Sequence, residues 1–246
     1  MSAVSTPFTY LITGASRSLG LAYVKRLLDQ RPEAKIVAAA RAPEKADALK
    51  QVADENEGRV FLLKLDLQDA EGCKNAAQEL EKSGFLGDNG LDCLINNAGI
   101  LGSVVDPTAT SAADLLEPLA TNLFGTANVT QAFLPLLNAG QGKQIFTISS
   151  TCGSIEDFGN NTLYTAYSVS KCALNMYMSK IASELGPKGF TVVTVCPGYT
   201  ATDFNNYAGS LSIEQSVHPT VANIFLAATA KENGHFIRYN GERVPW

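Results

Sequence analysis

Short apolar runs alternate with longer amphipathic stretches from one end of the chain to the other. The runs are rich in β-branched residues, which predicts strands, and the stretches repeat with the period of a helix. This alternation implies right-handed crossovers and a parallel sheet with helices on both faces. The predicted strands are residues 8–13, 35–40, 60–65, 91–96, 144–149, 191–196 and 235–238, and the predicted helices are residues 19–30, 43–55, 70–82, 112–137, 166–185 and 216–231.

The pattern predicts a single domain. No internal repeat, low-complexity tract or Pro/Gly/Ser linker divides the 246 residues. The run Leu91-Asp92-Cys93-Leu94-Ile95 is typical of a strand buried on both faces. We therefore expect one doubly wound α/β domain over residues 1–246, with a mostly parallel sheet of seven strands.

Composition excludes several classes of protein. With 46% hydrophobic and 17% charged residues, the chain can bury a core and is not typical of disorder. A net charge of −5 without a basic cluster argues against nucleic-acid or anionic-membrane partners. No run of about 18 apolar residues predicts a membrane span, and residues 1–10 lack the pattern of a secretory signal.

The cysteines and histidines point to a cytoplasmic protein without a metal site. Five cysteines are scattered with no Cys-x-x-Cys spacing, which favours reduced thiols in the cytoplasm. Only two histidines are present, so a zinc site has few ligands to draw on.

A glycine-containing turn follows the first predicted strand. Residues 13–20 read Thr-Gly-Ala-Ser-Arg-Ser-Leu-Gly, and a helical pattern begins at once. Gly14 permits a tight turn, and Gly20 lets the helix approach the strand closely. The free N–H groups of the helix would then face a pyrophosphate, although a purely structural turn is the alternative.

The end of the second predicted strand indicates which dinucleotide would bind. An NAD site usually places an acid there for the ribose 2′-hydroxyl, whereas an arginine accommodates a 2′-phosphate. This chain has Ala40 and Arg41, with Arg17 in the preceding turn, so two guanidinium groups could grip a phosphate. Two solvated surface arginines are the alternative.

The next two strand ends are less specific. Asp66 could accept a hydrogen bond from an adenine amino group, or it could begin a turn before Asp69 caps the next helix. The fourth strand ends in Asn96-Asn97-Ala98-Gly99, whose amides can hold neighbouring backbone. An ordinary turn is the alternative for this segment.

A cluster of hydroxyl and amine side chains follows the fifth strand. Ser149 and Ser150 end that strand, and Tyr167 and Lys171 lie four residues apart on one face of a predicted helix. A nearby ammonium would lower the pKa of the phenol toward the working pH, as a general acid/base requires. An ordinary surface Tyr/Lys pair is the alternative.

In this order the motifs resemble the short-chain dehydrogenase/reductase family over essentially the whole chain, which implies a Rossmann fold. The resemblance is carried by Thr13-Gly14-x-x-x-Ser18-x-Gly20, Asn96-Asn97-Ala98-Gly99, Asn122, Ser150, Tyr167-x-x-x-Lys171 and Pro197-Gly198. The ending, residues 234–246, resembles that of sniffer-type and C-factor-type carbonyl reductases, and fungal ketoreductases of the norsolorinic-acid type are similar too.

The resemblance implies catalytic roles. Tyr167 would protonate the carbonyl oxygen, and Ser150 would polarise it, with Ser149 the alternative for that role. Lys171 would lower the pKa of the tyrosine and hold the nicotinamide ribose. Asn122 would hold the lysine through a water and complete a proton relay.

The resemblance also implies an NADPH/NADP site. Asn97 and Ala98 would lie along the adenosine ribose, and Thr200 and Thr202 would reach the nicotinamide carboxamide. Ser18 departs from the family, which usually has a glycine there. The implied cofactor-binding residues are Gly14, Ser16, Arg17, Ser18, Leu19, Gly20, Arg41, Asp66, Leu67, Asn97, Ala98, Gly99, Tyr167, Lys171, Pro197, Gly198, Thr200 and Thr202.

The predicted function is NADPH-dependent reduction of a small apolar or aromatic carbonyl compound. Residues 202–216 would form a lid, and helices 112–137 and 166–185 would pair two copies in a homodimer. Three alternatives remain: an alcohol dehydrogenase, a non-catalytic dinucleotide-sensing protein and a non-redox enzyme of secondary metabolism. The aromatic residues expected near the nicotinamide, which could equally pack the lid, are Phe158, Tyr164, Tyr199, Phe204 and Tyr207.

Overall fold

A computed structural model describes residues 7–246, so the expectation about a secretory signal lies mostly outside the described residues. Seven strands form one sheet in the order β3-β2-β1-β4-β5-β6-β7, and every neighbouring pair is parallel. The predicted seven-stranded parallel sheet is therefore confirmed. The strands are β1 (Thr9–Thr13), β2 (Lys35–Ala40), β3 (Val60–Lys64), β4 (Cys93–Asn96), β5 (Gln144–Ile148), β6 (Thr191–Cys196) and β7 (Phe236–Arg238).

Both faces of the sheet are covered by helices. Every residue of β1 is buried, and its side chains alternate between two apolar cores: Leu11 belongs to one and Ile12 to the other. The helices are α1 (Ser18–Gln30), α2 (Asp47–Glu55), α3 (Ala70–Lys82), α4 (Ala112–Leu119), α5 (Thr126–Ala139), α6 (Ile155–Phe158), α7 (Thr165–Leu185) and α8 (Ile213–Thr220). None of the helices within residues 7–246 is long and apolar enough to cross a membrane.

The strand order creates a switch point. β1 pairs with β2 on one side and with β4 on the other, so the chain leaves β1 and β3 in opposite directions across the sheet. The connections on the two sides diverge beyond the carboxyl ends of β1 and β4, which leaves a crevice there.

Two predicted helices are interrupted. The segment 43–55 starts as a 3₁₀ turn at Pro43–Lys45, and α2 begins only at Asp47. The segment 112–137 contains a π-helical turn, Ala120–Gly125, between α4 and α5. Such turns change the hydrogen-bond ladder and are frequent at functional sites.

The predicted helix 216–231 is wrong at both ends. A capping box at Ser212 starts α8 earlier, at Ile213. The helical path ends with a π-helical turn at Val221–Phe225. Thr229 then caps a separate 3₁₀ turn, because its side chain and that of Glu232 satisfy the free backbone N–H groups locally.

Candidate active site

A cleft of about 550 Å³ lies beyond the carboxyl ends of strands β1 to β6. Every residue predicted to bind the cofactor lines it, and so does Ser150. Asn122 does not line the cleft, because its side chain is completely buried behind it. The fold thus brings into one cavity all of the predicted catalytic and cofactor-binding residues except Asn122.

The turn after β1 is held by the turn after β4. The Asn97 amide donates to the Thr13 carbonyl oxygen at 2.8 Å, and the Thr13 hydroxyl accepts from the backbone N–H groups of Asn97 and Ala98. A Cβ at Gly20 would collide with the Gly14 carbonyl oxygen, and Gly14 itself has a φ of +66°. Both glycines are therefore required by the geometry of this turn.

This end of the cleft fits an anionic ligand. Helix α1 begins here without a side-chain cap, so its first N–H groups lack a side-chain partner. Arg17 and Arg41 are exposed and line the same end, and Ala40 stands where an acid would repel a 2′-phosphate. The residues present therefore suit a dinucleotide that carries an additional phosphate.

A contact across the cleft was not predicted. Asp203 lies in a 3₁₀ turn, Asp203–Asn205, and one of its carboxylate oxygens is 2.5 Å from Nε of Arg17. The other oxygen accepts a short hydrogen bond from the hydroxyl of Ser18, a residue with a φ of +48°. No local sequence pattern predicts this contact, because its partners are 185 or more positions apart in the chain.

Asp66 makes the turn that was one of its two predicted roles. Its carboxylate accepts from the backbone N–H of Gln68 at 3.0 Å, and it remains exposed on the cleft. Asp69 caps α3 by accepting from Gly72, as predicted. The turn role does not exclude adenine contact, which stays a prediction.

Tyr167 and Lys171 lie one turn apart on α7, and both are buried. The lysine Nζ donates to the Ile148 carbonyl oxygen at 2.8 Å and lies 5.6 Å from the centre of the tyrosine ring. Burial lowers the pKa of Lys171 to about 8, because the low-dielectric surroundings disfavour its charged form.

The pKa of Tyr167 is not lowered as expected from the sequence. Burial raises the pKa above its ordinary value, the nearby Cys152 thiol adds to the rise, and hydrogen bonding to Ser150 opposes it. The reason is that the lysine amine is directed to Ile148, so desolvation of the phenolate dominates. Burial therefore favours the neutral phenol of Tyr167 over the phenolate.

The structure distinguishes the two serines at the end of β5. The Ser149 hydroxyl is buried and donates to Oδ1 of Asn175 at 2.6 Å. The Ser150 hydroxyl accepts from the N–H of Cys152 and lies beside the Tyr167 hydroxyl on the cleft. Ser150 is therefore the serine placed to contact a ligand near Tyr167.

Asn122 lies in the π-helical turn, and its side chain is fully engaged. Its amide oxygen accepts from the N–H of Ile100, and its amide nitrogen donates to the Ile100 carbonyl oxygen and the Ser170 hydroxyl. Its backbone carbonyl accepts from the Thr126 hydroxyl. The asparagine thus joins the segment after β4 to α7, and its predicted water-mediated link to Lys171 stays a prediction.

Aromatic side chains surround the catalytic end. Phe158, Tyr164, Tyr199 and Phe204 line the cleft, as expected, and the Phe204 ring meets the Tyr167 ring edge-on with centres 5.6 Å apart. Tyr207 does not line the cleft and is 69% exposed, so its predicted place is wrong. The cleft residues that no sequence motif predicted include Ile100, Leu101, Cys152, Asn161, Leu163 and Asp203.

Comparison with known proteins agrees with this geometry. A family model described as short chain dehydrogenase matches residues 9–210. Short-chain dehydrogenase anuI of Penicillium roqueforti is 34% identical, covering 90% of this chain and 89% of its own. The carbonyl reductase Sniffer of D. melanogaster superposes with a TM-score of 0.89 at 30% identity, covering 98% of this chain and 100% of its own. An NADPH-bound carbonyl reductase from chicken fatty liver also superposes with a TM-score of 0.89, at 28% identity, covering 98% and 99%.

Proposed function

The chain belongs to the short-chain dehydrogenase family, and we propose that it is an NADPH-dependent carbonyl reductase with Tyr167 as its general acid. The observation that carries this proposal is the two-ended cleft. Ser150, Tyr167 and Lys171 lie at one end, and an uncapped helix N-terminus with two arginines lies at the other. Two structural relatives are carbonyl reductases by name, and one of them holds NADPH.

When bound, NADPH supplies the hydride for the carbonyl carbon. The Tyr167 hydroxyl supplies the proton for the carbonyl oxygen, so that a ketone or aldehyde becomes an alcohol. The Ser150 hydroxyl donates a hydrogen bond to the same oxygen and polarises it. Solvent restores the proton to Tyr167 after each turnover. Lys171, whose pKa burial lowers to about 8, lies beside the tyrosine with Nζ 5.6 Å from the ring centre.

The neutral phenol of Tyr167 suits the reductive direction. Because burial raises the pKa of Tyr167, the phenol is protonated at working pH. The protonated form donates to a carbonyl, whereas oxidation of an alcohol would need the phenolate. Asn122 acts as a positioning residue in this scheme, since it ties α7 to the segment after β4.

The substrate is an apolar or aromatic carbonyl compound. The walls around Tyr167 carry the rings of Phe158, Tyr164, Tyr199 and Phe204. Flat apolar groups gain contact area against such rings, whereas a charged substrate would lose its hydration there.

NADPH oxidation across a panel of ketones and aldehydes tests the proposal. We expect turnover with aromatic ketones that exceeds turnover with short aliphatic ones. Tight NADPH binding without turnover of any carbonyl would contradict it and favour a dinucleotide-sensing or non-redox protein.

Residues 202–216 are proposed as a lid within one domain of residues 1–246. Asp203 attaches this segment to the turn after β1, and Phe204 covers Tyr167. Because the Arg17–Asp203 pair is largely exposed, Asp203→Asn should speed NADPH release by only about threefold. Glu214→Gln, in the first turn of α8, is the matched control, and stopped-flow displacement measures both. An unchanged release rate in the Asp203 variant would remove the reason for a lid.

A cytoplasmic homodimer is proposed as the working form. The five cysteines are free thiols, which supports a reducing compartment. Leu116, Phe124, Val169 and Met176 are exposed on α4, the adjoining π-helical turn and α7, and α4 contacts α7. Light scattering should give twice the mass of the 26.1 kDa chain, and Met176→Glu should give a monomer. A wild-type monomer at micromolar concentration would exclude the dimer.

A further inference from the structure

One wall of the cleft is held mainly by local hydrogen bonds. We call residues 155–164 the substrate wall, because Phe158, Leu163 and Tyr164 within it line the catalytic end. The N–H of Asp157 donates to the Ser154 hydroxyl, and the N–H of Asn161 to the Phe158 carbonyl. A segment with one helical turn and short-range bonds needs support from elsewhere to keep a single conformation.

A hairpin at the edge of the sheet stands behind this wall. Residues 236–246 fold back on themselves, with the N–H of Val244 donating to the Phe236 carbonyl at 2.8 Å. Phe236 and Val244 are buried together with Cys196 of β6. The N–H of Tyr239 donates to the Cys196 carbonyl at 2.7 Å, so the hairpin is fixed to the sheet.

The hairpin contacts two consecutive residues of the wall. Arg238 Nη2 lies 3.1 Å from a carboxylate oxygen of Asp157. The carbonyl oxygen of Trp246 accepts from the backbone N–H of Glu156 at 3.3 Å, and the Trp246 ring stacks on Phe236 with centres 5.5 Å apart. Through these contacts, the buried core of the hairpin supports α6.

We propose that Arg238 and Trp246 are positioning residues that set the carbonyl specificity of the enzyme. They act through α6 on the substrate wall and touch neither the cofactor end nor the Tyr167 hydroxyl. This inference rests on the proposed reductase function. Loss of either residue should loosen the wall and weaken the binding of large aromatic carbonyls, which contact it. Small aldehydes, held by Ser150 and Tyr167 alone, should be affected little.

The experiment compares Arg238→Ala with Lys188→Ala. The Lys188–Glu184 pair is also 3.1 Å long, and it lies at the far end of α7, so it controls for loss of an exposed ion pair. For Arg238→Ala we expect KM for a two-ring aromatic ketone to rise about threefold, the scale of an exposed pair. We expect kcat, KM for propanal and the Kd of NADPH to stay unchanged. Trp246→Ala keeps the backbone carbonyl that bonds to Glu156 but removes the ring that stacks on Phe236, so it should loosen the same contact and raise the same KM.

Two further measurements make the role specific. Exchanging the charges, in Asp157→Arg with Arg238→Asp, should restore KM for the two-ring ketone. Amide hydrogen exchange in residues 158–164 should accelerate in Arg238→Ala and not in Lys188→Ala. Unchanged exchange in the wall, or an equal KM change in the Lys188 variant, would overturn the inference. If no carbonyl is turned over, the proposed function fails, while the exchange measurement still decides whether the hairpin holds the wall.

Discussion

The floor and the rim of the cleft differ in how their polar groups are satisfied. Tyr167 and Lys171 on the floor are buried, as is Asn122 behind it. The lysine and the asparagine bond to backbone carbonyls or to a buried hydroxyl. On the rim, Arg17 is 72% exposed, although it is paired with Asp203. A buried polar group left without a partner is costly, whereas an exposed pair exchanges readily with water. Substitutions on the floor should therefore change activity or stability strongly, whereas those on the rim should change cofactor binding by small factors.

The largest expected effect belongs to Tyr167→Phe. The variant keeps the ring but removes the proposed proton donor, so we expect reduction to slow by roughly 10²-fold or more. NADPH affinity should stay nearly constant. Tyr164→Phe, which removes a hydroxyl from the same cleft, is the control. Activity of Tyr167→Phe within a factor of about three of wild type would remove Tyr167 from the mechanism.

The two serines after β5 separate catalysis from stability on the floor. Ser150→Ala should slow reduction by roughly 10²-fold, because a donor to the carbonyl oxygen is lost. Ser149→Ala leaves Oδ1 of Asn175 without its donor, so it should cost about 1–3 kcal/mol of unfolding free energy with little change in kcat. Steady-state kinetics and urea unfolding measure the two. The reverse outcome would exchange their assigned roles.

The buried lysine predicts a pH dependence of stability. The pKa of Lys171 is about 8 in the folded chain and 10.5 ordinarily, so the unfolded chain binds more protons between these values. The free energy of unfolding contributed by this lysine should therefore rise, by about 2 kcal/mol, from pH 8 to pH 10. Subtracting the profile of Lys171→Met removes the contribution of the other groups. A flat difference profile would show that the lysine does not titrate in this range.

On the rim, Arg41 should change cofactor preference by a smaller factor. Arg41→Ala should weaken NADPH binding about tenfold and leave NADH binding unchanged, because only NADPH carries the 2′-phosphate. Arg17→Ala should have less effect, since Nε of Arg17 is already bound to Asp203. Ala40→Asp should shift the preference toward NADH, and Lys45→Ala is the control. Fluorescence titration at fixed salt measures all four variants, and equal wild-type affinity for both cofactors would contradict the NADPH assignment.

Features that depend on residues close together in the sequence were predicted better than features that depend on tertiary contacts. Helix α3 was predicted with both ends correct, because Asp69 caps it within three residues. The end of the last helical segment was not, because a capping box at Thr229 competes with continued helix there. The Tyr167–Lys171 spacing was visible as one helical turn, whereas the direction in which burial moves the tyrosine pKa was not.

The sequence by itself determined the parallel sheet, the turn after β1 and the one-turn spacing of Tyr167 and Lys171, because apolar period, glycine and helical spacing are local properties. Only the tertiary structure decided that the Ser149 hydroxyl bonds to Asn175. It also decided that Lys171 bonds to Ile148 and that Asp203 reaches Arg17. These outcomes depend on burial and on contacts between strand ends far apart in the chain. Local sequence patterns do not indicate which distant residues come into contact, so these contacts are known only from the packed structure.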